Sequence, residues 1–481
     1  MEQKQYDVIV IGSGAAGFMA ALTVAEAGKS CIVLEKGEEL TTSNASRAGG
    51  PALAGTKMQA AEGETLTPEQ LYQDMYDFSR GTVNSALLRS ALAEGPAVEA
   101  WLDKLGIKLH LMPDNYGVGY RARHMIMAHP QQRWEAMVKA LEERGGEIAL
   151  GAEALRLLQD DSGAVTGVCV RRQGEEQELY ATSVVIASGG YIGSEEELKK
   201  RFSGVVVNAM SNRLSDGAGI RMAEAVGAVT DRNWGVCANE FGGYNRKHEG
   251  PSSWLRYAVL GGLLVDRNGL RFMNEQLNVD RPLSVGGEQT IRVGRYYAVV
   301  DEAMVEALKT RTLYDYCGRP EHWTAGKLTQ DMLPRIFGRD PELEELLQEG
   351  WIAKCDSIEE AAAAFGLKHL PQTIADYNAA CAAGADHQFG KEAFLLHPLT
   401  TAPYYVIEYE PSAWSAFGGI KTDEGCRALT ADQNPVPGLY IAGMDNGSVF
   451  CSPYYHNEGA ALGIAFTTGI LTGKTILKDQ A

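Results

Sequence analysis

Tyr6-Asp7-Val8-Ile9-Val10-Ile11-Gly12-Ser13-Gly14-Ala15-Ala16-Gly17, followed by Ser30-Cys31-Ile32-Val33-Leu34-Glu35, decides the fold of this 481-residue chain. Tyr6 to Ile11 is a short β-branched apolar run, as a strand buried in a parallel sheet should be. Gly12 allows a tight turn, Gly14 lets a pyrophosphate approach the backbone, and Gly17 lets a helix pack closely on the strand. The pattern predicts a helix from Ala15 to about Ala27, with its N–H groups and positive dipole end turned to the phosphate. Glu35 closes the second strand where a ribose 2′-OH needs an acceptor, with Lys36 beside it. The expected fold class is α/β, with a Rossmann-like nucleotide-binding domain.

Composition narrows the function classes. The chain carries 44 Lys and Arg against 62 Asp and Glu, a net charge of −18, with no basic block. Nucleic acid and anionic membranes are therefore not expected as partners. No apolar run approaches the roughly 20 residues that cross a bilayer, so no membrane span is expected. The first five residues run directly into the first strand, leaving no room for a signal peptide. The eight cysteines are scattered without a C-x-x-C pair. That spacing argues for a reducing compartment, taken as the cytoplasm, and against a zinc, iron–sulfur or other metal site.

Further along, Pro130 to Arg144 shows helical spacing, and Gly163–Val170 with Leu179–Thr182 reads as a meander through the turn Gln173–Glu176. Ser183 to Gly190 reads as another buried strand ending in small residues, which let the backbone pass close to a ligand. From about Asn233 the texture becomes longer-looped and then charged and helical. Strand character returns with Pro403–Ile407 and with Gly438–Gly443, and Ala460 to Thr475 reads as a closing helix. The expected organisation is a discontinuous nucleotide-binding domain, 1–232 and 400–481, interrupted by an α+β capping domain at 233–399.

Several of these segments recur together in one known group. The fingerprint Gly12–Gly17 with Glu35, then Ala187-Ser188-Gly189-Gly190-Tyr191 and Gly438–Gly443, resembles the two-dinucleotide-binding-domain flavoproteins. Ser43-Asn44-Ala45-Ser46-Arg47-Ala48-Gly49-Gly50 looks like the serine- and glycine-rich segment that lies against an isoalloxazine ring. Asp216-Gly217-Ala218-Gly219, Gly269-Leu270-Arg271-Phe272-Met273-Asn274-Glu275, Phe417-Gly418-Gly419 and Gly459-Ala460-Ala461-Leu462-Gly463 extend the match over nearly the whole chain. It is similar to the soluble fumarate reductase / 3-ketosteroid dehydrogenase superfamily. The resemblance implies FAD lying against Gly12, Gly14, Ala15, Ala16, Gly17, Glu35, Lys36, Ser43, Asn44, Ser46, Gly49, Gly50, Ala187, Ser188, Gly189, Asp216, Gly443, Gly459, Ala460 and Leu462. Asp445 is expected at the ribityl chain, one residue beyond the family's acid, because Met444 holds that place. No histidine precedes His110, so the flavin is expected to be non-covalent.

The resemblance also implies hydride transfer between flavin N5 and a C–C or C=C bond beside a carbonyl. The family's fumarate-binding cations are missing: Val279 stands where the proton-delivering arginine belongs, with Arg281 two residues later. Tyr455-His456-Asn457-Glu458-Gly459 instead resembles the ketosteroid dehydrogenases' Y-x-x-x-G, whose hydroxyl and glycine N–H hold a carbonyl oxygen as an oxyanion hole would. The expected catalytic group is Tyr455, Gly459, His456, Arg281, Tyr454 and Arg123, with Tyr116, Tyr120, Arg121 and His124 as further proton-relay candidates. Fumarate is an unfavourable substrate, since a buried carboxylate without a cation is costly. The leading expectation is an enone reductase or ketosteroid-type dehydrogenase working with an external electron carrier. The alternatives are a reductase of an unsaturated monocarboxylate using Arg281 or Arg123, and a non-catalytic flavin electron-relay subunit.

Overall fold

The computed structural model describes residues 5–114, 117–210, 212–239, 261–318 and 340–481. Its largest sheet runs in the order Arg427–Leu429, Pro435–Ile441, Glu175–Ile186, Gln5–Ile11, Cys31–Leu34, Glu147–Ala149. The pairings from Pro435–Ile441 across to Glu147–Ala149 are all parallel. Ile9 lies opposite both Ile32 and Val184, so the β-branched run occupies the sheet centre and is buried on both faces. The expected α/β class is the one observed.

Leu179–Thr182 and Ser183–Ile186, read from sequence as two segments, form one continuous strand, Glu175–Ile186. Its first half pairs antiparallel with Val165–Arg172, and its second half pairs parallel with Gln5–Ile11. No glycine or proline separates Thr182 from Ser183, so nothing breaks the extension.

The helix Ala15–Glu26 follows the glycine turn and packs against the closing helix Ala460–Asp479. The approach is close: a β-carbon on Gly469 would stand 2.3 Å from the Ala16 carbonyl oxygen. The closing helix is long and apolar enough to cross a membrane by length and composition, contrary to the reading from sequence. However, 72% of its most apolar window is buried inside the fold, where a core helix belongs.

A second sheet, Leu263–Val265, Tyr296–Asp301, Tyr404–Tyr409 and Ile352–Cys355, is entirely antiparallel. Tyr404–Tyr409 thus bonds with strands of the inserted segment, and the next strand, Ser412–Phe417, belongs to a different sheet. That strand pairs with Gly235–Ala238 and Asn208–Ala209, making a small third sheet at the edge of the main cavity.

The inserted segment is pinned by ions as well as by apolar packing. Arg271 donates to Glu275 at 3.0 and 2.8 Å and to Asp386 at 3.1 and 2.9 Å, with all three side chains almost wholly buried. The sequence motif around Arg271 therefore serves a structural clamp. Burial opposes ionisation of Asp386, but the Arg271 hydrogen bonds outweigh it and bring the carboxyl down to about 2. Asp386→Asn is expected to cost about 3 kcal/mol at pH 7, the usual result of stranding one partner of a buried pair. Because the folded-state pKa is depressed, the wild-type advantage is present above about pH 4 and is lost as pH falls toward 2. Thermal melts of both proteins from pH 7 down to pH 2 check the magnitude and the narrowing of the gap.

Candidate active site

One cavity, of about 460 Å³, runs from the glycine turn to the loop before the closing helix. At one end the Glu35 carboxylate accepts from Ser13 N at 3.0 Å, Ser13 Oγ at 2.6 Å and Gly37 N at 2.8 Å. A carboxylate has about four acceptor sites, so Glu35 braces the turn and keeps capacity for a hydroxyl. Lys36 sits beside it, paired with Asp216 at 2.9 Å and Glu153 at 3.2 Å.

The cavity is lined by Gly12, Gly14, Ala15, Ala16, Glu35, Lys36, Ser43, Asn44, Gly49, Gly50, Ala187, Ser188, Gly189, Asp216, Gly443, Gly459 and Leu462. These residues come from seven separate stretches of the chain and meet only in the fold. Four other candidates stand outside that lining. Gly17 lies beneath the turn, where a β-carbon would meet the Gly12 carbonyl oxygen at 1.9 Å. The Ser46 hydroxyl donates back to Thr41 O and Ser43 O, both at 2.7 Å, and so shapes its own segment. Ala460 opens the closing helix behind the wall. Asp445 is completely buried and accepts from Ser188 Oγ, Gly189 N and Gly190 N at 3.0, 2.9 and 3.2 Å. It holds the small-residue turn in place, while Met444 faces the cavity.

An extended dinucleotide fits these surfaces. A β-carbon on Gly14 would meet nothing nearer than Ser43 Cβ at 4.0 Å, so the turn opens onto free space. The first N–H groups of Ala15–Glu26 have no intrahelical acceptor and border that space. Ser43 Oγ lines it too, buried and without a hydrogen-bond partner among the described residues. Such an orphaned hydroxyl is what a polar ligand atom would satisfy.

The other end is built by Arg123, Met125, Cys237, Leu283, Trp414, Tyr454, Glu458 and Gly459. Tyr454 accepts the Ala461 N–H on its hydroxyl oxygen and lies against the Cys237 thiol. Burial holds the Tyr454 phenol well above its ordinary pKa, so it stays protonated and able to donate. Tyr455, the tyrosine of the Y-x-x-x-G match, points elsewhere. It is fully buried in an apolar cluster, and its hydroxyl donates to Val449 O at 2.8 Å. The two rings meet edge to face with centroids 6.3 Å apart, and of the pair only Tyr454 lines the cavity.

Arg123 forms an ion pair with Glu458 inside the cavity wall. Arg281 is exposed and lies outside the lining. His456 is also outside, with Nε2 at 2.9 Å from Asp74 Oδ2 and its ring 4.6 Å from that of Phe78. Asp74 also accepts from Tyr120 Oη and Asn457 Nδ2, tying the helix Pro68–Phe78 to this loop. His124 is a core residue bonded to Thr56 Oγ1 and Ala122 O, both at 2.8 Å, and burial lowers its pKa. Arg121 pairs with Glu62 at 2.9 Å. Tyr116 lies outside the described residues.

Met125, Cys237, Leu283, Trp414 and Glu458 were not singled out by the sequence. Cys237 reads as a small buried hydrophobe, and Leu283 and Trp414 as ordinary core. Glu458 lay within the Tyr455–Gly459 motif, and its pairing with Arg123 joins positions 335 residues apart, since 458 − 123 = 335.

The chain as a whole resembles known proteins in sequence and in fold. A vinyl phenol reductase of Lactiplantibacillus plantarum is 25% identical over 98% of this chain and 96% of its own length. A probable fumarate reductase of Shewanella frigidimarina is 27% identical over 98% of this chain and 74% of its own. The fold superposes on a 3-ketosteroid Δ1-dehydrogenase from Sterolibacterium denitrificans with a TM-score of 0.77, covering 99% and 100% of the two chains at 18% identity. With residues 7–462 matching its pattern from the first strand into the closing helix, the chain belongs to the FAD binding domain family.

Proposed function

We propose that this flavoprotein is an oxidoreductase that reduces or forms a C=C bond conjugated to a carbonyl or phenolic ring in a small, largely apolar, uncharged substrate. Bound FAD supplies the hydride chemistry. We assign its contacts to the cavity residues above, with Asp445, Ser46, Gly17 and Ala460 supporting them from behind, and without a covalent link. The chain's own part is to polarise the substrate and move a proton. Tyr454 Oη donates to the substrate oxygen, and the Gly459 N–H is the second donor of the oxyanion pair.

The observation that carries this reading is the Arg123–Glu458 pair. Three cations line the cavity among the described residues: Lys36, Arg47 and Arg123. Lys36 is paired with Asp216 and Glu153 beside Glu35, Arg47 is exposed at the rim, and Arg123 is paired with Glu458. A dicarboxylate would meet no uncompensated charge beside Tyr454, and burying it there is unfavourable. A neutral conjugated alkene has no such cost. The unsaturated-monocarboxylate alternative would need Arg123 released, and Arg281 is too exposed to serve it.

The test is anaerobic. The holoprotein is reduced with dithionite and mixed with cyclohexenone, 4-vinylphenol, cinnamate and fumarate. Rapid flavin reoxidation by the neutral alkenes, with fumarate inert, is expected; oxidation by the acids alone overturns the reading. Glu458→Gln frees Arg123, and cinnamate should then bind on the order of tenfold more tightly, a charge-assisted hydrogen bond's worth. Titration of cinnamate against flavin absorbance measures this.

The electrons come from, or go to, an external carrier, because no second strand–glycine–helix fingerprint appears in the sequence. The division proposed is 1–232 and 410–481 against a cap at 233–409, the second boundary lying past residue 400 because strand Tyr404–Tyr409 pairs within the cap's sheet. None of the eight cysteines is joined in a disulfide, which supports a cytoplasmic location.

A further inference from the structure

The segment Ser43–Gly50 has two faces. Arg47, Ala48 and Gly49 line the main cavity on one side and an open recess on the other. The recess is also bordered by His129, Gln131 and Arg133, at the N-terminus of the helix Pro130–Glu142. Among the described residues no carboxylate lines it, although the chain as a whole is strongly acidic.

Arg133 is the unusual member. It is only 5% exposed. Its two terminal nitrogens donate to the carbonyls of Ala48 and Ser46 at 3.2 and 3.0 Å, and its buried Nε has no acceptor among the described residues. Burial alone lowers its pKa, with no neighbouring carboxylate acting against that. The guanidinium is held by two carbonyl oxygens and lies 5.8 Å from the centre of the Trp134 ring, with no carboxylate beside it among the described residues, so its charge lacks a counter-ion and an anion reaching its terminal nitrogens from the recess would be favoured. The helix dipole favours an anion at the same place. Met127, 63% exposed, lies between lining residues Ile126 and His129 and offers an apolar contact beside the charge.

We propose that this recess binds the phosphate group of a reduced redox carrier, which delivers electrons through the Ser43–Gly50 wall to the flavin. The inference rests on the reading that turnover uses an external carrier. Two electrons leave the carrier and reduce the bound flavin, and the protons released on one side are taken up on the other. The carrier leaves oxidised. Arg133 and His129 recognise the phosphate, and Ala48–Gly49 form the thin partition.

Reduced FMN and reduced riboflavin carry the same ring and differ in the phosphate, so they separate anchoring from redox chemistry. Stopped-flow reduction of the holoprotein by each is compared in the wild type, in Gln131→Glu and in His129→Ser, which retains a capping side chain. Reduced FMN is expected to half-saturate at roughly tenfold lower concentration than reduced riboflavin, as expected of charge-assisted phosphate contacts. That advantage should shrink at least about threefold in both variants and on adding inorganic phosphate. Riboflavin rates and dithionite reduction should not change. Equal half-saturation for the two flavins, no reduction by either, or an advantage that survives both variants overturns the proposal. Reoxidation by 4-vinylphenol is recorded separately, so failure of the alkene reading shows in that half-reaction alone.

Discussion

Gly14→Val is expected to yield a folded protein that no longer retains FAD, with affinity reduced on the order of a thousandfold. Gly14 has φ −71° and ψ −176°, an extended conformation that valine adopts readily. The space its side chain would fill is bounded only by Ser43 Cβ, 4.0 Å from the added carbon. That space is the cavity in front of the helix N-terminus, where a pyrophosphate must approach the backbone. The substitution therefore fills the ligand's place without disturbing the sheet. Gly12 gives the contrast. Its φ is +103°, and an added β-carbon would meet the Ala187 carbonyl oxygen at 2.3 Å, so Gly12→Val should fail to fold. Circular dichroism with flavin absorbance after gel filtration separates the outcomes. A Gly14→Val protein that keeps its flavin would place the dinucleotide elsewhere.

The two adjacent tyrosines should respond in opposite ways. Tyr454→Phe removes the hydroxyl that faces the cavity, and kcat on a neutral conjugated alkene should fall by about two to three orders of magnitude. The Ala461 N–H also loses its acceptor, a stability cost of about 1 kcal/mol. Tyr455→Phe removes a hydroxyl bonded to Val449 O in an apolar cluster. It should cost about 1–3 kcal/mol of stability and leave kcat nearly unchanged. Steady-state kinetics and thermal melts on both variants decide the matter, and a large loss of kcat in Tyr455→Phe alone would reverse the assignment.

The nucleotide-binding half was legible because its residues act through local backbone geometry. A β-branched run, a glycine turn and a helix start are set by neighbours in sequence, and so Gly12, Gly14 and Glu35 could be placed without coordinates. The catalytic end was less legible. Tyr454 and Tyr455 are chemically identical neighbours, and which one faces the cavity depends on how the loop turns against Phe450, Cys451 and the closing helix. Asp445, expected at the ribityl chain, lies behind the turn, fully buried with three hydrogen bonds to residues 188–190 and outside the cavity lining. Arg271, within a motif that the family resemblance made conspicuous, proved to be a clamp to Asp386, 115 residues away.

By itself, the sequence determined the parallel sheet and the glycine turn, because these rest on short-range spacing and backbone sterics, while the family and the flavin followed from the resemblance of its motifs to known flavoproteins. Only the tertiary structure decided the charge and shape of the substrate end. Arg123 reads as a free cation in the chain and becomes half of an ion pair when Glu458 folds against it. Electrostatics acts through space and burial rather than along the chain, so net charge at a site is a property of the fold.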